Sequence, residues 1–335
     1  MKAVILGLGC LAVGCELWSG EMPDPQCSGV HVDPSGELIL TDPHLRNDGR
    51  ARNAGLGAFS FAGQLGALER RLGSLDDSAL WSVIAEPRSE TSELPFRLIA
   101  IVNRVDLGPQ LAPESQAGEA RLVYTLTDGN GDDPSSPPLP LTVIFEYSLR
   151  GDDASSWAAR FHALTAYRLD DAPRLDALAA LVEDFGTELS QIRLNDARSG
   201  TAVVHELAMV GAKLERRGLK NTPRREFAGT PELARYLADN ESAVLSGRHR
   251  VPEAWLADSA EVAAFDWGAT GTPDDVAHEF GRGTCSGCHS DQGGGRGGFH
   301  LAQDDSGQVV LSPFLLDEEI ERRQRVHRQL LCDRQ

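Results

Sequence analysis

FRLIAIVNRVDL (96–107), ARLVYTLT (120–127) and LTVIFEYSL (141–149) are three short runs rich in β-branched and aromatic residues, separated by turn formers. Such runs predict strands of one sheet. DGNGDDPSSPPLP (128–140) joins the second to the third, which predicts an antiparallel pair with an exposed connection. Downstream the pattern changes to helical spacing. Residues 154–167 and 173–190 carry apolar stripes, and Leu175, Leu178, Leu181, Val182, Phe185 and Leu189 share one face. IRLNDA (192–197) and AVVHELAMVGAKL (202–214) return to strand, and Thr230-Pro231-Glu232 opens a helix through about Val244. Residues 317–331 predict a last helix, with Glu318/Arg322, Glu319/Arg323 and Glu321/Arg325 at the i,i+4 spacing that pairs opposite charges. Strands early and helices late predict an α+β fold: a mixed or antiparallel sheet with packed helices, followed by a small, mainly helical C-terminal segment.

The N-terminus reads as an address. Lys2 precedes AVILGLGCLAV, an apolar run too short to span a bilayer but suited to a secretory signal. Ala12-Val13-Gly14-Cys15 resembles a bacterial lipobox, which makes Cys15 the expected lipidated residue and the membrane or cell surface the expected location. An ordinary cleaved signal is the alternative. The expected division is therefore a leader over 1–14, a tether and irregular region over 15–55, an α+β body over 56–270, and a C-terminal segment over 271–335.

Export gives the six cysteines, at 10, 15, 27, 285, 288 and 332, a disulfide-permissive setting. Cys27 and Cys332, at opposite ends of the mature chain, are a candidate disulfide. The remaining pair lies in Cys285-Ser286-Gly287-Cys288-His289, the Cys-x-x-Cys-His signature of covalent c-type haem. That chemistry needs two sulfurs one helical turn apart and an adjoining histidine under the iron. From this composition a chance match is on the order of 0.3%. Cys285 and Cys288 are then the thioether residues and His289 the proximal iron ligand. Thr272 as cap and Pro273 as first residue predict a short helix ahead of the motif, with Val276 and Phe280 turned inward. No methionine follows the motif, so the distal candidates are His300, then His278, His327 and Met209. Two alternatives stay open: a Cys285–Cys288 disulfide, or zinc held with His289 and a fourth ligand such as His300.

Other patterns fall short. His205-Glu206-Leu207-Ala208 lacks the second histidine of a zinc-protease helix. Asp128, Asn130 and Asp132 start like a calcium loop, but Asp133 and Leu139 stand where Gly and Glu are needed. GGGRGG (293–298) has no phosphate-binding Lys or following helix. Asn103-Arg104-Val105-Asp106 is a polar cluster that either lines a site or satisfies itself by burial. With 50 acidic against 32 basic residues and a formal charge of −18, nucleic acid is a poor partner and a basic protein a good one.

FRLIAIVNRVDL, ARLVY, the run 233–260, RGTCSGCH and LSPFL (311–315) together resemble a family of exported bacterial lipoproteins of myxobacterial type. Its members begin with a lipobox and end with a Cys-x-Gly-Cys-His segment. The resemblance spans about 94–316 and implies haem-attachment roles for Cys285, Cys288 and His289; it brings no established activity. Where the family carries a Glu-Thr pair after the motif, this chain has Ser290-Asp291-Gln292. The expectation is an exported, lipid-anchored mono-haem protein in electron transfer or haem-based sensing, docking a basic redox partner. The alternative is a non-redox binding or scaffold lipoprotein whose cysteine pair braces the C-terminal segment through a disulfide or zinc.

Overall fold

The computed structural model describes residues 29–73, 80, 94–110, 117–150, 153–185, 189–211, 213–245, 249–262, 267–268, 271–290, 299–304 and 306–334. Its centre is an antiparallel meander. β1 (Ile39–Leu40), β2 (Phe96–Arg104), β3 (Glu119–Thr127), β4 (Pro138–Ser148), β5 (Leu189–Asp196), β6 (Val203–Val210) and β7 (Lys213–Arg216) pair in chain order, and β8 (Ser259–Glu261) adds to β6. The three runs that predicted strands are β2, β3 and β4. The 202–214 run is two strands, because Gly211 takes φ 61° and lets the chain reverse between β6 and β7.

Side chains alternate across the pleat, so the sheet has two distinct faces. On one, Leu122 lies opposite Phe145, and Tyr124 and Tyr147 extend the row. This face is covered by α1 (Pro43–Asn47), α2 (Phe61–Leu72), α3 (Ala154–His162) and α4 (Ala172–Phe185), whose buried residues join one core. Phe61 stacks on Phe96 at 4.1 Å and meets Tyr124 and Phe145 edge-on. Each such ring contributes about 1.5–3 kcal/mol by burial alone. α4 ends at Phe185 rather than running to 190, since Leu189 is already in β5.

The other face carries charge. Arg121 sits opposite Glu146 and Arg193 opposite Glu206, which makes a diagonal of buried or half-buried ion pairs: Arg121–Glu146 at 3.3 Å, Arg193–Glu146 at 3.5 Å and Arg193–Glu206 at 3.6 Å. Burial pushes Glu206 above the ordinary carboxylate value, with the Glu146 charge adding to the effect and Arg193 opposing it. His205-Glu206 is therefore part of a strand, not of a metal helix. Asp132 accepts the backbone N–H groups of Asn53 and Ala54 at 2.7 and 2.9 Å, which uses its carboxylate to fasten the 128–140 loop.

Two expected boundaries move. From residue 30 the supposed tether belongs to the body: Leu38, Ile39, Leu40 and Leu45 are buried in the main core, and β1 extends the sheet by pairing with β2. The helical C-terminal unit also begins before 271. α5 (Pro231–Asp239) and α6 (Glu241–Leu245) share a second core with α7 (Asp274–Arg282), built from Leu233, Leu237, Val244, Val251, Trp267, Val276 and Phe280. The apolar stripe of α5 finds its partner only some forty residues later, a pairing that local periodicity does not reveal.

After this unit come α8 (Cys285–Cys288), a small hairpin of β9 (Leu301–Gln303) with β10 (Val309–Leu311), and α9 (Ile320–Cys332). α9 packs against α3 and the turn 34–38, and its Leu330 and Leu331 enter the main core. Among its expected surface pairs only Glu321–Arg325 is exposed, at 3.0 Å. Glu319–Arg323 forms at 2.9 Å but is buried, and Arg322 turns from Glu318 to Glu319 and Asp106. Arg104 and Asp106 complete the cluster, so the 103–106 residues are satisfied by burial. Burial opposes charging Asp106, but Arg104, Arg322 and Arg323 outweigh it and hold the carboxyl far below its usual range.

Candidate functional site

α7 begins at Asp274 with Pro273 as its cap residue, one place later than expected, and Thr272 makes no capping bond. Val276 and Phe280 are buried as the spacing requires. Phe280 meets Trp267 edge-on at 5.7 Å, which fixes how α7 approaches the second core. The chain leaves α7 at Gly283 and restarts at Thr284. Thr284 Oγ1 donates to the Gly281 carbonyl at 2.7 Å and accepts from Gly287 N–H at 3.1 Å, which caps the single turn of α8. Glycine is required at 287 because a Cβ there would stand 2.1 Å from the Gly281 oxygen. Cys285 and Cys288 thus lie one turn apart, with His289 directly after them.

The two sulfurs face different surroundings. Cys285 packs against the small cluster of Val204, Leu219 and Ala260 on the charged face of the sheet, and Thr222 Oγ1 accepts its N–H at 2.8 Å. It is a free thiol, and burial pushes its pKa up despite the opposing charge of Arg193. Cys288 is in a disulfide, and its sulfur lies 3.6 Å from His300 Nε2. Of the two alternatives to haem, the Cys285–Cys288 disulfide is not formed: one sulfur is turned into the sheet-side cluster and the other toward His300.

His300 is brought to the motif by the hairpin. The register Leu301↔Leu311 puts His300 and Ser312 at its open end, where Ser312 N–H donates to the His300 carbonyl at 3.0 Å. Ser312 Oγ lies 3.0 Å from His300 Nδ1 and accepts Leu315 N–H at 3.2 Å. The His300 ring stands 4.4 Å from His289 and 5.4 Å from Phe314, centre to centre. Of the expected site residues, Cys285, Cys288, His289 and His300 are thus together. His327 is instead buried against Glu37, Met209 packs on the main core, and His278 is exposed on α7. Cys332, at the end of α9, is disulfide-bonded. Cys15, Cys27, the leader and the 293–298 glycine run lie outside the described residues.

In this arrangement His289 and His300 are not a facing pair of haem ligands. Histidines on opposite faces of an iron, each nitrogen about 2 Å from the metal, put their ring centres about 6 Å apart. Here the rings are at 4.4 Å and tilted by 40°. The Cys288 sulfur is already bonded, and the Cys285 thiol is packed against aliphatic side chains. Among the described residues no group of three or more His, Cys, Asp or Glu is placed to hold a metal ion, and a disulfide sulfur is no zinc thiolate.

Sequence reasoning missed Thr222 and Ser312, the two hydroxyls that position Cys285 and His300. Thr222 belongs to no motif, Ser312 lies in the LSPFL string with no role marked there, and each acts across a distance set by the fold. Among the described residues no helix is long and apolar enough to cross a membrane. Comparison with protein-family models, with curated proteins and with solved structures finds no match to this chain.

Proposed function

We propose that the chain is an exported, lipid-anchored binding or scaffold protein of non-redox type, whose cysteine-bearing C-terminal segment is a brace on the charged face of the sheet. The observation that carries this reading is the unequal state of the two motif cysteines: Cys288 bonded, Cys285 free and packed inward. Disulfides persist in oxidising compartments, which agrees with the export expected from the leader-like run and the lipobox-like Ala12-Val13-Gly14-Cys15. The −18 charge suits a basic partner and salt-sensitive association. A second reading, one covalent haem serving electron transfer or sensing, is favoured by the placement of both cysteines on one turn with His289 next and His300 beside it. It requires the Cys288 sulfur to be released and His300 to move away from it.

One experiment separates the two. The chain is expressed in a periplasm equipped for cytochrome c maturation, and a pyridine haemochrome spectrum is recorded beside a Cys288→Ala control. Thiol states are read by alkylation and mass spectrometry. The brace reading expects no reduced α-band, with Cys285 modified under denaturing conditions without reductant and Cys288 only after reduction. An α-band from the unaltered chain that disappears in Cys288→Ala would overturn it in favour of haem.

A further inference from the structure

Where the turn before β1, the end of α3 and α9 come together, three chain segments meet around one carboxylate. Residues Pro34–Leu38 form a tight turn, capped by Asp33, whose Oδ1 accepts Ser35 N–H at 3.0 Å. Glu37 in this turn is fully buried. Its Oε1 accepts Asp33 N–H at 2.8 Å, while Oε2 lies 3.0 Å from His162 Nδ1 at the end of α3 and 3.2 Å from His327 Nε2 on α9.

The protons in this cluster can be assigned by following the bonds outward. Asn103 Oδ1 accepts Val105 N–H at 2.9 Å, which turns its amide NH2 toward Glu37 O at 3.1 Å and His327 Nδ1 at 3.4 Å. His327 Nδ1 is therefore an acceptor, and the ring proton sits on Nε2, facing Glu37. Burial raises the cost of charging Glu37, but the bonds from His327, Asp33 N–H and His162 outweigh it and keep the carboxyl below its ordinary value. An ionised carboxylate at Nδ1 puts the His162 proton on Nδ1, which leaves the Nε2 lone pair as the ring's remaining polar function.

His162 is 38% exposed and lines a cleft of about 690 Å³ together with Val30, His31, Thr165, Leu331 and Arg334. A buried carboxylate behind a histidine fixes its tautomer and stabilises the imidazolium formed when it takes a proton, the arrangement of a general base. No serine or cysteine side chain lines the cleft among the described residues, and the Thr165 hydroxyl is spent on the His162 carbonyl at 2.7 Å. An imidazole lone pair at such a cleft can take the proton of a water molecule. The lining holds both a carboxylate, Asp33, and a guanidinium, Arg334, beside Val30, Ala159 and Leu331, a mixture that suits an uncharged substrate with an apolar part.

We propose that this cleft is a hydrolytic site for uncharged carboxylic esters, with His162 as general base and Glu37 as its positioning residue. Water adds to the ester carbonyl carbon as its proton passes to His162 Nε2. Collapse of the tetrahedral adduct breaks the acyl–oxygen bond, and the leaving alkoxide takes the proton back from the imidazolium, giving acid and alcohol. The site is independent of whatever the cysteine segment carries.

The test uses the purified full chain with p-nitrophenyl acetate and p-nitrophenyl butyrate. Saturable hydrolysis is expected, lowered at least about 100-fold in kcat by His162→Gln. His278→Gln, on the exposed side of α7, should leave it unchanged. Glu37→Gln should lower kcat with little change in KM and shift the acidic limb of the pH profile. Because that buried substitution can also impair folding, the His162 tautomer is read separately in the unaltered chain by ¹⁵N NMR, with Nδ1–H expected. Absence of saturable turnover, full activity in His162→Gln, or a neutral Nε2–H tautomer would each overturn the proposal.

Discussion

His249 offers a direct measure of how dry the second core is. Its side chain is 3% exposed, its ring centre lies 5.3 Å from that of Phe280, and a Cβ on Gly283 would come within 3.1 Å of its Cε1. Neither ring nitrogen has a hydrogen-bond partner among the described residues, and burial pushes the pKa down to about 4. An unfolded histidine titrates near 6.5, so the folded state refuses a proton that the unfolded state accepts between those values. The unfolded chain then binds more protons, and stability falls as pH drops from about 6.5 toward 4, after which this contribution is flat. The full loss is about 3 kcal/mol, and at pH 5 about 2 kcal/mol relative to pH 7.5. The assay is denaturant unfolding of the chain and of His249→Leu at both pH values. His205, also depressed by burial and by Arg216, and the carboxylates Glu37, Asp106 and Glu319 are common to both proteins and cancel in the difference. His249→Leu should lose about 2 kcal/mol less than the unaltered chain at pH 5. Equal pH dependence, within about 0.5 kcal/mol, would refute the reasoning and show that water reaches His249.

Two further substitutions probe the segments that rest on the sheet. Asp106→Asn removes one of the two carboxylates that Arg104 and Arg322 share, leaving Glu319 alone among three buried guanidinium groups, and should cost about 3–5 kcal/mol in urea unfolding, with α9 the first helix to lose hydrogen-exchange protection. Gly287→Ala sets a Cβ against backbone that cannot rotate away, so α8 should lift from its seat; native-state alkylation of Cys285 by iodoacetamide is expected to rise at least about 10-fold, and an unchanged rate would contradict the packing described for that thiol.

The sheet was legible because β2, β3 and β4 combine β-branched residues with turn formers, signals that act within a few residues. The N-terminal region was not, since its composition is that of a loop while its contribution to the core is made by a few residues. β1 has two residues and is a strand only because Ile39 and Leu40 find Val102 and Ile101 more than sixty positions away. The charges of α9 misled for a related reason. Glu319 and Arg323 have the spacing of a solvated pair, yet Arg104 and Asp106 close over them and make the same pair part of the interior. At the motif, spacing was enough to place Cys285, Cys288 and His289 on one turn. Which sulfur would be bonded depends on what each faces, and those surroundings come from β6, the loop at 219–222 and the β9–β10 hairpin.

The two buried polar clusters are tied to each other by four residues at the end of β2. Asn103 orients His327 behind Glu37, while Arg104 and Asp106 hold Glu319 and Arg322. All of their partners except Glu37 lie on α9 or the turn leading into it. His327 follows Arg323 by four positions, so one face of α9 carries both sets of contacts and cannot shift for one without disturbing the other. Glu37 is fixed in turn by His327, and His162 by Glu37. The Asn-Arg-Val-Asp stretch that looked like a site in the sequence therefore sets the seat of α9, and through α9 the tautomer of a half-exposed histidine that lines a cleft.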